Sequence, residues 1–344
     1  MTSASTISNG TAPIHAAIAG EALIDLIRRP DGSYLPCLGG ALYNLCRALA
    51  RQGVGTQYLN PLSRDRFGRE LAAQLLADGV HLARPEPVQP VTSLAVVNLN
   101  EHGHPDYAFY REGVADRAVS SQGLGAACAA LPALQLVCTG ALALDARDTA
   151  IYLPWLADQH AAGHCLVVDA NLRPSVMPDL VAYRAAVHAA LAHAHIIKVS
   201  DEDLDHLAVP GTDALARARQ LLHAHPAAHL LALTMGAQGA WLLHRNGTQC
   251  FAKEAQPLRV VDTVGAGDSF LAGLLAHLLT QAQPTAAGSL AEFVQVLSVN
   301  ACQQALRHAL ASASLCVMEQ GCVPPGWAQA ADRVVQHPAV VLHG

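Results

Sequence analysis

The chain is poor in lysine: among its 344 residues only Lys198 and Lys253 occur. A P-loop nucleotide binder sets a lysine directly behind its glycine loop to reach the phosphates. Neither lysine follows such a loop, so that class is excluded. A G-x-G-x-x-G turn after the first strand is also missing, because residues 14–20 lead into Glu21-Ala22-Leu23, which speaks against a dinucleotide-binding dehydrogenase. There is no basic run, and the formal charge is −6 with a pI of about 6.3, so neither nucleic acid nor an anionic membrane is the expected partner.

Other absences bear on compartment. The nine cysteines are odd in number, never spaced C-x-x-C, and several sit in apolar runs, as expected for reduced core thiols in the cytoplasm. Residues 1–13 lack the basic and apolar blocks of a signal peptide and read as a loose tail. Residues 118–144 carry no charge, yet Ser, Gln, Gly and Pro interrupt them, against a membrane span. The pairs His102 and His104, His193 and His195, and His223 and His225 have no cysteine or carboxylate cluster beside them to complete a metal set.

What is present is an apolar fraction of 52%, enough core for one large domain or two modest ones. The most informative stretch is Asp262-Thr263-Val264-Gly265-Ala266-Gly267-Asp268-Ser269-Phe270, a glycine-rich turn that opens an apolar helix. Helix starts leave N–H groups unpartnered and carry partial positive charge, so the amides of residues 265–268 can cradle an anion such as a phosphoryl group. Asp268 then makes sense as a general base that takes a proton from an attacking hydroxyl. A plainer reading also fits: Asp268 favours the helix start and the glycines make a turn.

Around this stretch the chain alternates short apolar runs with alanine-rich helical segments. Runs at residues 136–138, 165–169, 195–199 and 230–234 predict a mostly parallel sheet with helices on both faces. Ligands collect at the carboxyl ends of such strands, where polar residues cluster at 169–174, 198–203 and 234–239. Near the N-terminus, Glu21 and Asp25 interrupt an apolar stretch, and Gly39 and Gly40 precede a helix that Gly53 stops. Residues 93–100 and 106–111 read as a hairpin with its turn at 101–105.

The 262–270 stretch resembles the C-terminal signature of the ribokinase-type, or PfkB, sugar kinases, and residues 38–53 resemble their N-terminal signature. The resemblance covers roughly residues 14–325 and is strongest to bacterial fructokinases, through Gly20-Glu21-Ala22-Leu23-Ile24-Asp25 and residues 109–117. It implies an α/β ribokinase-like fold, one domain over 14–344, and a small β-sheet lid built near 21–27, 33–38 and 93–111. It also implies ATP-dependent phosphorylation of a small sugar, most of all fructose, with 2-keto-3-deoxygluconate as the rival substrate. A sugar-binding regulator that has lost catalysis is the alternative of another class.

Carried over residue by residue, the resemblance makes Asp268 the base and Gly265, Ala266 and Gly267 the anion hole. Asp25, Gly39, Gly40, Asn44, Tyr110, Arg111 and Arg173 become sugar ligands. Ser200, Thr234, Gly236, Gly239 and Asn300 fall to the nucleotide. Asp203 stands where the family has a glutamate that positions Mg²⁺ through water, and Asp262 lies beside a site for a monovalent cation such as K⁺. A homodimer joined through the lid is implied as well.

Overall fold

The computed structural model describes residues 13–29, 31–99, 105–282 and 288–343. Nearly all of the expected N-terminal tail, His102, His104 and most of the 101–105 turn lie outside them. The strands in chain order are β1 (Ala16–Ile18), β2 (Leu23–Arg28), β3 (Tyr34–Gly39), β4 (Thr56–Tyr58), β5 (His81–Leu82), β6 (Ser93–Leu99) and β7 (Pro105–Tyr110). They continue as β8 (Leu136–Gly140), β9 (Cys165–Asp169), β10 (Ile196–Ser200), β11 (Leu230–Thr234), β12 (Ala240–His244), β13 (Gln249–Lys253) and β14 (Val340–His343).

Ten of them form one sheet in the order β14-β13-β12-β11-β10-β9-β8-β1-β4-β5. From β11 to β5 every neighbouring pair is parallel, and β12, β13 and β14 add on antiparallel beyond β11. The central strands are apolar on both faces because helices cover both. Alternation divides their side chains between two cores: Cys165 and Val167 face one, Leu166 and Val168 the other.

The first core contains residues of α1 (Ala41–Arg51), α2 (Arg66–Ala77), α8 (Ala266–Ala282), α9 (Leu290–Gln295) and α10 (Val299–Cys316). The second contains residues of α3 (Ser121–Ala129), α4 (Thr149–Ala161), α5 (Leu180–Leu191), α6 (Asp201–His206) and α7 (Ala214–Ala224). A last helix, α11 (Trp327–Gln336), precedes β14. Helix α8 packs tightly on α10, since a side chain at Gly273 would begin 2.5 Å from Ser312 Oγ. It begins at Ala266, so Gly267 and Asp268 belong to its first turn.

The remaining strands make a separate sheet in the order β3-β2-β6-β7, the expected lid. It joins the body through Gly39 and Gly40, which lead straight into α1.

Candidate active site

Two cavities meet at the start of α8. The first, of about 690 Å³, lies under the lid and is lined by Glu21, Asp25, Gly40, Asn44, Arg173 and Asp268 among others. The second, of about 630 Å³, is lined by Thr234, Gly236, Gly239, Lys253, Phe270 and Ser314 among others. Thr263 and Gly267 line both. A group bound in one cavity can therefore be handed to the other across the helix start.

The turn is built for that exchange. Gly265 has φ +78°, a left-handed conformation that glycine adopts without strain. Helical bonding begins with Ser269 N–H donating to Gly265 O at 2.8 Å, which leaves the N–H groups of Gly267 and Asp268 without an intrahelical acceptor. The Ala266 N–H is instead spent on Thr263 O at 3.2 Å. Of the expected anion-hole amides, that of Ala266 is thus the one already spent, and those of Gly265, Gly267 and Asp268 have capacity to spare.

Asp268 is buried, and Asn44 Nδ2 donates to its Oδ2 at 3.0 Å. Burial first, then the neighbouring Asp169 charge, push its carboxyl up to about 7, against the pull of Lys198, Asn44 and Arg173. A carboxyl balanced there can both accept and release a proton near neutral pH.

The glycines at the lid junction make room for polar groups. A side chain at Gly39 would begin 2.2 Å from Asp25 Oδ2, and one at Gly40, with φ +109°, 2.6 Å from Glu21 O. Gly40 offers α1 no side-chain cap, and Glu21 Oε1 accepts from the first helical N–H, that of Ala41, at 2.9 Å. Burial raises Asp25 to about 6 and Glu21 to about 7, with Arg173 and Arg111 respectively opposing. Glu21 Oε2 and Asn44 Oδ1 are buried without a hydrogen-bond partner among the described residues. Buried polar atoms are rarely left so, and a polyhydroxylated ligand in the first cavity would satisfy both.

Lys198 and Glu21 were not assigned roles from sequence. Lys198 shares its side of β10 with Ile196, which belongs to the core under α8. Its ammonium lies 2.9 Å from Asp169 Oδ1 and 3.2 Å from where a side chain at Gly267 would begin. A buried cation thus stands at the shared wall of the two cavities. The signal was present in the sequence, where one of only two lysines in the chain interrupts an apolar strand, and the parallel register sets it directly beside Asp169 at the end of β9.

Several expected site residues lie elsewhere. Strand parity turns Phe109 toward the first cavity and leaves Tyr110 exposed on a neighbouring hollow of about 320 Å³. Arg111 lines that hollow too, ion-paired with Asp116 at 3.1 Å and donating to Leu142 O at 3.1 Å. Asn300 is exposed at the start of α10, whereas Leu310, Ala313 and Ser314 reach the second cavity, about 15–21 Å further along at 1.5 Å per residue.

Ser200 and Asp203 form a reciprocal capping box on α6, and Asp203 also accepts from Leu172 N–H at 2.7 Å. Both lie outside the lining of the two cavities. Asp203 therefore fastens the loop after β9 to the start of α6. Arg173 does line the first cavity, with Nη1 donating to Asn171 O and Leu172 O. Asp262 lines it as well, accepting from Val264 N–H and Gly321 N–H through one oxygen each.

Known proteins share this fold. The family model described as pfkB family carbohydrate kinase matches residues 15–329. The fructokinase of Rhizobium leguminosarum bv. trifolii is 35% identical over 75% of this chain and 78% of its own length. That of Klebsiella pneumoniae is 31% identical over 80% and 87%. Among solved structures, the ATP-bound fructokinase of Xylella fastidiosa superposes with a TM-score of 0.78 at 26% identity, covering 94% of this chain and 98% of that one. With its lid, its paired cavities and an acid at the head of α8, this chain belongs to the pfkB family of carbohydrate kinases and is a sugar phosphotransferase.

Proposed function

We propose that the chain phosphorylates fructose with ATP. The observation that carries this reading is the shared wall at Gly267, with a base on its sugar side and unpartnered amides facing the exchange. The sugar would occupy the first cavity and the nucleotide the second, with Thr234, Gly236 and Gly239 along its phosphates. Asp268 takes the proton of the hydroxyl, and the oxygen attacks the terminal phosphoryl group. The Gly267 and Asp268 amides and the Lys198 ammonium stabilise the charge that develops.

Among the described residues no cluster of three or more His, Cys, Asp or Glu has metal-binding geometry. Mg²⁺ would accordingly be held mainly by the nucleotide phosphates, where it supplies charge neutralisation. Asp262 would face a monovalent cation such as K⁺, since each of its oxygens retains capacity beyond the one amide it accepts.

The likeness to fructokinases favours fructose, and the charges of the first cavity support it. Glu21, Asp25, Asp262 and Asp268 line it against Arg173 and a Lys198 already paired with Asp169. Three of these carboxyls are held up at about 6 to 7 and so can donate as well as accept hydrogen bonds, which suits the hydroxyls of a neutral ketose better than the carboxylate of 2-keto-3-deoxygluconate. A coupled assay with fructose, 2-keto-3-deoxygluconate, ribose and adenosine tests this. Fructose should lead in kcat/KM by at least about tenfold, roughly 1.4 kcal/mol of transition-state preference; a lead for the keto-acid overturns the substrate, and no ATP turnover with any of them favours the regulator.

A further inference from the structure

Behind the anion-binding turn, two thiols lie against each other. Cys316 ends α10 and points its Sγ at Val264 O, 3.6 Å away. Cys322 follows the short loop 317–321 and lines the first cavity, half-buried. The two side chains are hydrogen-bonded to one another. Cys322 also presses on the turn itself, because a side chain at Gly265 would begin 2.3 Å from its Sγ. Each sulfur therefore touches a different residue of the glycine-rich turn, Val264 or Gly265.

We propose that Cys316 and Cys322 are an oxidation site at which a peroxide entering through the first cavity forms a disulfide and switches off phosphoryl transfer. Cys322 is the partner the cavity exposes; its hydrogen bond to Cys316 and its burial hold its proton on, so it passes that proton to the Cys316 thiolate as its sulfur attacks the peroxide O–O bond. An S–O bond forms, the O–O bond breaks, and the departing hydroxide takes that proton, giving a sulfenic acid and water. Cys316 then attacks that sulfur. The S–S bond forms, and the hydroxide that leaves is protonated from solvent, into which Cys316 had released its own proton, giving a second water. Two thiols and one peroxide thus give one disulfide and two waters.

The local environment assists the second step. The hydrogen bond from Cys322, aided by Ser269, draws the Cys316 thiol down to about 7 despite its burial, so a thiolate is available at neutral pH. Closing the pair to a covalent length of about 2.05 Å draws the sulfurs together from hydrogen-bonding separation. That movement removes the support under Gly265, Val264 or both, and with it the alignment of the Gly267 and Asp268 amides. Displacements of about 1 Å at reacting groups can reduce rates on the order of 10²-fold.

The test treats the purified full chain with hydrogen peroxide and reads it by intact mass and peptide mapping. The mass readout needs no substrate and so is independent of which sugar is used. The expected result is a loss of two hydrogens, a Cys316–Cys322 cross-linked peptide, and a fall in kcat on the order of tenfold or more that dithiothreitol reverses. Cys322→Ala and Cys316→Ala, each compared with its own untreated rate, should lose no cross-link-dependent activity. The proposal is overturned if wild-type protein forms no such cross-link, if Cys322 pairs instead with Cys37, which lines the same cavity, or if the disulfide forms and kcat is unchanged.

Discussion

Asp268 sits where its charged form is disfavoured, and this sets two opposite pH dependences. Its carboxyl is held up at about 7 in the fold, against about 4 for an aspartate in an unfolded chain. The base form therefore predominates only above that value, and kcat/KM should fall as pH drops through about 7. Stability runs the other way. Between the two values the folded state holds a proton that the unfolded state has released, so stability declines as pH rises toward 7. Asp268→Asn should lower kcat by about 10² to 10⁴ and should melt above wild type at pH 8, with the gap closing toward pH 4. Near wild-type turnover in that variant would remove Asp268 as the base.

Lys198 invites a sharper experiment, because removing it alone strands the buried Asp169. Lys198→Met should destabilise by roughly 3–5 kcal/mol for that reason. Pairing it with Asp169→Asn should restore much of the melting temperature while kcat stays depressed by on the order of 10². Recovery of kcat along with stability would reduce the lysine to a structural role. That Asp268, Gly265, Gly267, Asp25 and Asn44 gather around one cavity was legible from sequence because each belongs to a short contiguous pattern. Lys198 and Glu21 were not, since their significance comes from partners on other elements: Asp169 on β9, and the Ala41 amide at the head of α1.

At the scale of elements, helix starts and strand parity decide most of the site. The residues 200–203 look like a metal contact in sequence, but folding α6 there turns both side chains onto backbone N–H groups. Asp203→Ala should lose a cap and leave the Leu172 amide unpaired, costing roughly 1–3 kcal/mol. The Mg²⁺ concentration for half-maximal activity should stay unchanged, and a marked rise would return Asp203 to the metal. Parity explains Tyr110 similarly. The hairpin was evident, but which of Phe109 and Tyr110 faces inward depends on a register of one residue, which the local alternation of apolar residues did not fix.

For the whole molecule, the parallel sheet and the lid were readable because strand and helix periods alternate at short spacing. The antiparallel edge was not: β14 lies far along the chain from β13, and that pairing has no local signature. The lid leaves β3 and β7 at its edges, with Tyr34 and Tyr110 exposed on them. Exposed aromatic edges are natural docking strips, and we infer that two copies pair there. Sedimentation should find a dimer at micromolar concentration, and Tyr34→Glu with Tyr110→Glu should yield a monomer; a monomeric wild type would end the idea.

The near-absence of lysine acquires a different meaning once the fold is known. Of the two side-chain amines in the chain, Lys198 lines the first cavity and Lys253 the second. Lys198 is buried and Lys253 is exposed. Amine-directed chemistry, whether an acylating reagent or an acetyl donor, thus meets at the second cavity a single open side-chain target. Any acylation there removes a positive charge from the wall that the nucleotide would occupy, so the enzyme's sensitivity to acyl donors should be concentrated at Lys253 rather than spread over its surface.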